Sequence, residues 1–72
     1  MINGTVSKLV VSFGSNWGRI RPRGELREVF FNSSSLMHPE EFAGLVEGQL
    51  VDFEEEKHLN NGTQAVKIRN HI

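Results

Sequence analysis

Apolar and polar residues alternate along most of this 72-residue chain, and turn residues break the alternation at short intervals. A period of two puts successive side chains on opposite faces of a strand, so the pattern predicts β structure; helical periodicity is weak everywhere. Ile2 to Phe13, rich in Val, Leu and Thr, reads as a first strand, bent at Gly4 or near Lys8–Val11. Gly14, Ser15 and Asn16 are turn residues. Trp17 to Arg21 reads as a second strand, with Trp17, Arg19 and Arg21 on one face and Gly18 and Ile20 on the other. Pro22 has no N–H to donate and ends it, and Gly24 permits a tight turn. In a third strand, Arg27 to Asn32, Val29 and Phe31 oppose Phe30 and Asn32. Ser33 to Gly48 is a long irregular stretch, with a helical turn favoured at Pro39-Glu40-Glu41, because proline and acids suit a first turn. Gln49 to Lys57 is a fourth strand, Val51 and Phe53 inward and Asp52, Glu54 and Glu56 outward. Asn60-Asn61-Gly62 signals a hairpin that needs positive φ. Gln64 to Ile68 or beyond is a fifth, with Val66 and Ile68 inward and Lys67 and Arg69 outward.

Five short strands with one long loop between the third and fourth suit a small all-β barrel. Closure removes the open edges that so few strands would otherwise leave. The expected fold is a five-stranded antiparallel OB-type barrel, one domain over residues 1–72.

Composition narrows the function. Apolar residues make up 38%, with 7 glycines besides, which is ordinary for a globular domain and argues against disorder. The absence of cysteine excludes a disulfide scaffold and a zinc–thiolate site. No apolar run approaches the roughly 18 residues of a membrane helix, so no membrane partner is expected. No charged-then-apolar leader opens the chain, so the cytoplasm is the expected location. Sequons at Asn3, Asn32 and Asn61 therefore read as turn residues. The histidines, His38, His58 and His71, lack metal-ligand spacing. Ser33-Ser34-Ser35 lacks the glycines of a hydrolase nucleophile elbow and reads as loop. No phosphate loop or dinucleotide fingerprint occurs. Neither an enzyme nor a cofactor or metal is expected, and the chain should be a monomer.

Net charge is −1, which argues against holding nucleic acid by bulk charge. The charges are nonetheless segregated. Lys8, Arg19, Arg21, Arg23 and Arg27 are five of the eight basic residues, whereas Glu40, Glu41, Glu47, Asp52, Glu54, Glu55 and Glu56 form an acidic half. The run Glu54–Glu56 reads as a solvated edge. With the inward set Val6, Ile20, Val29, Phe31, Val51, Phe53, Val66 and Ile68, Trp17 and Phe30 are left as outward aromatics beside arginines. Single-stranded nucleic acid needs such a surface: a base stacks on a ring for about 1–3 kcal/mol, and arginine supplies phosphate contact or its own planar face.

The chain also resembles the cold shock domain family, from Gly4 to about Arg69. Gly4-Thr5-Val6 resembles the family's opening Gly-Lys-Val. Trp17-Gly18-Arg19-Ile20 falls where the family has Phe-Gly-Phe-Ile, its first RNA-binding motif. Val29-Phe30-Phe31-Asn32-Ser33 falls at Val-Phe-Val-His-Phe, its second. Phe42, Leu45 and Glu47-Gly48-Gln49 resemble the segment before its fourth strand, and Gly62-Thr63-Gln64-Ala65-Val66 its entry to the fifth. The resemblance implies an OB-type barrel that binds single-stranded RNA or DNA, RNA by family habit. Trp17 and Phe30 match its stacking aromatics, and Phe42 and Gln64 match positions that contact bases from loops, whereas Asn32 replaces its motif histidine. Lys8 stands where the family has a stacking Trp, Leu9-Val10 replace its Phe-Asn, Arg19 replaces a ring, and Ser33 replaces another. Lys8, Arg19 and Arg21 would then serve the backbone, making affinity more salt-dependent. The expected function is RNA-chaperone-like trapping of unpaired strands with little sequence preference. The alternative is a degenerate cold-shock-like domain serving as a protein-interaction or structural module.

Overall fold

The computed structural model describes residues 1–58 and 62–71. Five strands, β1 (Ile2–Ser12), β2 (Ser15–Pro22), β3 (Val29–Asn32), β4 (Leu50–His58) and β5 (Gly62–Asn70), close into an OB-type barrel with neighbour order β1-β2-β3-β5-β4. Two 3-10 turns, Ser33–Ser35 and Pro39–Gly44, lie in the β3–β4 connection. The second carries Pro39 at its start with Glu40 and Glu41 in its first turn, as those residue types predict. No helix among the described residues is long and apolar enough to cross a membrane.

The barrel is mixed rather than antiparallel throughout. β3 and β5 pair in parallel, with Phe30 opposite Gln64, while the other four neighbour pairs are antiparallel. A ring of five strands cannot alternate direction at every neighbour, so at least one pair must run parallel.

The first hairpin turns at Phe13–Gly14, earlier than expected. Ser12 pairs with Ser15, and Gly14 supplies the positive φ of 78°; Ser15 and Asn16 belong to β2. Asn3 sits inside β1 opposite Asp52 and is not a turn residue. Asn60 and Asn61 lie outside the described residues, so the hairpin and sequon expected there do too. Gly62 beside them has the positive φ, 73°, that such a turn requires.

Two bulges break the alternation. In β1, Val6 pairs with Ile20 and Lys8 with the adjacent Arg19, so Ser7 is an extra residue. Val6 faces the core, and Lys8, which strict alternation would also turn inward, faces out. In β5, Arg69 pairs with Asp52 and Val66 with Glu54, leaving Lys67 and Ile68 opposite Phe53 alone. Lys67 adopts a left-handed φ of 54° there. The bulge corrects the expected inward pair: Ala65 and Ile68 are buried and Val66 is only half-buried.

The remaining expected core residues all face inward. Val6, Ile20, Val29, Phe31, Val51 and Phe53 pack with Ala65 and Ile68, and Leu36 and Phe42 join them from the β3–β4 connection. Glycine at two positions is forced by this packing. A Cβ on Gly4 would lie 2.7 Å from Ile20 Cγ2 and 2.8 Å from the Arg21 carbonyl oxygen. A Cβ on Gly18 would collide with the Lys8 carbonyl oxygen and lie 2.9 Å from the Phe31 ring. The two strands approach closely where β1 bulges, and the candidate site is built over that point.

Candidate nucleic-acid interface

Register places the site residues in rows across the outer face. Lys8 of β1 is opposite Arg19 of β2, Arg19 is opposite Phe30 of β3, Phe30 is opposite Gln64 of β5, and Gln64 is opposite Glu56 of β4. The next row runs Val10, Trp17, Asn32. Opposed residues share a face, so the β1 bulge brings Lys8 into line with the arginine and the ring.

Trp17 and Phe30 are diagonal neighbours, and their rings stack at a centroid distance of 5.9 Å and 28° between planes. Phe30 is 43% exposed, and Trp17 is half-buried. Both cations lie over the indole: Lys8 Nζ is 5.5 Å and Arg19 Cζ 5.9 Å from the ring centroid. Neither Lys8 nor Arg19 has a carboxylate within ion-pairing distance among the described residues. Their charge is free to meet an anion, while the opposite end of the same row ends in the carboxylate of Glu56.

The other arginines differ. Arg21 shares the face but pairs with Glu28 at 3.5 Å, and Glu28 also accepts from the Ser7 hydroxyl at 3.0 Å. Arg27 is held by Glu25 at 2.7 Å and Glu55 at 2.5 Å. Its hydrogen bond to Glu25, then that to Glu55, raises its pKa further above the ordinary arginine range, and the same contact holds the Glu25 carboxyl below its usual value. Arg27 thus anchors the β2–β3 loop to β4 and does not extend a basic stripe. Glu55, at 23% side-chain exposure, is one end of that anchor and not part of a solvated edge.

Phe42 is a second correction. It is 4% exposed and packs against Phe31 with ring centroids 5.9 Å apart and 49° between planes. A ring buried in the barrel end cannot receive a base, so Phe42 belongs to the core. Asn32 and Gln64 are half-buried at the border of the platform. Both are tied to Ser35, a residue whose serine run gives no sequence signal beyond loop. Ser35 is the functional candidate that sequence reasoning misses, because its importance lies in contacts between β3, the first 3-10 turn and β5.

Among the described residues no group of three His, Cys, Asp or Glu could hold a metal ion. His71 Nδ1 lies 2.9 Å from Asp52 Oδ1, and Arg69 stands 4.0 Å from the same carboxylate. No protein-family model matches the chain, and no curated protein matches it.

Proposed function

We propose that this chain is a cold-shock-like barrel that binds single-stranded RNA or DNA across the outer face of β1, β2 and β3. The observation that carries the reading is the Trp17–Phe30 stack with two cations over it that pair with no carboxylate among the described residues. Bases would stack on Trp17 and Phe30. Lys8 and Arg19 would meet the phosphates, leaving the bases directed toward Asn32 and Gln64. Two stacks at about 1–3 kcal/mol each, with two phosphate contacts, support weak to moderate binding. Such binding traps unpaired strands without chemistry.

Trp17 is the one tryptophan, and there is no tyrosine, so intrinsic fluorescence reports on this face alone. Titration with oligo-U and oligo-dT at low salt should quench it. Trp17→Ala/Phe30→Ala, followed by mobility shift or NMR, should lose roughly 30-fold or more in affinity. Two phosphate contacts set a salt slope near −1.4 in log–log form, and Lys8→Ala should reduce it by about 0.7. Absence of quenching, with no chemical-shift change at high micromolar oligonucleotide, refutes the proposal. The neutralisation of Arg21 and Arg27 favours a second reading, a protein contact on the same face, which salt would affect little.

A further inference from the structure

The Ser35 hydroxyl is buried, at 6% residue exposure, and all three of its hydrogen-bonding positions are in use. It donates to Asn32 Oδ1 at 3.2 Å, and it accepts from the Asn32 backbone N–H at 3.3 Å and from Gln64 Nε2 at 3.0 Å. The Ser34 hydroxyl adds a second donor to Asn32 Oδ1 at 2.5 Å. A carbonyl oxygen has two lone pairs, so this oxygen is saturated and the Asn32 amide has only its NH2 group to offer a ligand. Gln64 is tied the other way round. Its NH2 is held by Ser35, and its carbonyl oxygen remains as an acceptor.

A free carboxamide can rotate by half a turn and exchange donor for acceptor. It then serves a base carbonyl and a base amino group equally. These two amides are fixed in opposite senses, Asn32 beside Trp17 and Gln64 beside Phe30 by register. We infer that Ser35 is a positioning residue for base discrimination: by locking Asn32 as donor and Gln64 as acceptor, it makes the stacking face read the hydrogen-bonding edge of a bound base. This inference rests on the nucleic-acid reading above. Uracil and cytosine are the sharpest probes. They have nearly the same shape, but a carbonyl and N–H in one are replaced by an amino group and a bare nitrogen in the other. A locked donor–acceptor pair satisfies one and leaves like groups facing each other for the second.

The test compares affinities for oligo-U and oligo-C of equal length in the wild type, Ser35→Ala and Ser35→Thr. The wild type should separate the two by about tenfold, the fold-change of one or two correctly paired hydrogen bonds. Ser35→Ala frees Gln64 while Ser34 still donates to Asn32 Oδ1, and loss of one member of the locked pair should bring the ratio to within about threefold with the salt slope unchanged, since the phosphate contacts are intact. Ser35→Thr keeps the hydroxyl and should keep the ratio. The side-chain amide NMR signals of Asn32 and Gln64 in the free protein give a readout without ligand: Ser35→Ala should shift both and speed hydrogen exchange of the Gln64 NH2, which the hydroxyl holds. Binding without base discrimination in the wild type overturns this inference alone, as does an unchanged ratio or unchanged amide signals in Ser35→Ala. Absence of any binding overturns the functional reading, and this inference with it.

Discussion

Gly18→Ala tests the geometry on which the site stands. Gly18 lies between Trp17 and Arg19, opposite Leu9, with its α-carbon turned to the barrel interior. The added methyl would meet two obstacles, the Lys8 carbonyl oxygen and the Phe31 ring at 2.9 Å. Phe31 is fully buried among other core residues, and the Lys8 carbonyl belongs to the bulged strand, so neither can retreat without disturbing the β1–β2 ladder. Overpacking of a close-packed interior costs about 1–3 kcal/mol, and a clash with backbone belongs at the upper end. A 72-residue domain has roughly 4–11 kcal/mol of stability, and about 1 kcal/mol moves its melting temperature by about 7 °C. Gly18→Ala should therefore lower the melting temperature by about 20 °C. Two controls separate crowding from backbone conformation. Gly14 has a φ of 78° and open space around it, so alanine there should cost only the left-handed penalty of about 1 kcal/mol, or about 7 °C. Gly44 has open space and no positive φ, so Gly44→Ala should be neutral or slightly stabilising. Thermal melts followed by circular dichroism give all three values. A Gly18→Ala protein that melts within about 4 °C of the wild type would refute the close approach of β1 to β2.

Three further outcomes follow from particular contacts. Phe42→Leu should cost on the order of 1 kcal/mol in urea unfolding, since it thins the packing on Phe31, yet leave oligonucleotide affinity within about twofold because the ring is buried. Lys67→Gly should stabilise by about 0.5–1 kcal/mol in the same assay, because glycine adopts the φ of 54° without strain and the exposed Lys67–Glu54 pair at 3.8 Å contributes little. Glu25 has a folded-state pKa below its ordinary 4.5, caused by the hydrogen bond from Arg27. Its contribution is thus present above about pH 4.5 and lost as pH falls through the folded value, so melting curves of wild type and Glu25→Gln should differ at neutral pH and converge as the pH is taken down through that lowered value.

The alternation of side chains was sufficient to identify five strands and most of the core. Ile20, Val29, Phe31, Val51 and Phe53 face inward because burial selects one parity within an unbroken strand, and parity is written in the order of residues. The same argument exposed Trp17 and Phe30. Counting strands would also have given the parallel β3–β5 pair, since an odd ring forbids full alternation; it is a consequence of closure that no local pattern displays. The bulges at Ser7 and Lys67 are different. A single inserted residue reverses parity, and whether the chain accepts it depends on the register of the partner strand, which is fixed by distant pairing. That is why Lys8 joins the platform and Ala65 replaces Val66 in the core. Charge followed the same division. The sequence showed where the cations are, but only tertiary contact decided that Glu28, Glu25 and Glu55 neutralise Arg21 and Arg27 while Lys8 and Arg19 meet no carboxylate among the described residues. Phe42 and Ser35 were beyond local reading for one reason: an irregular connection has no period, so burial and partners along it are set by what it packs against.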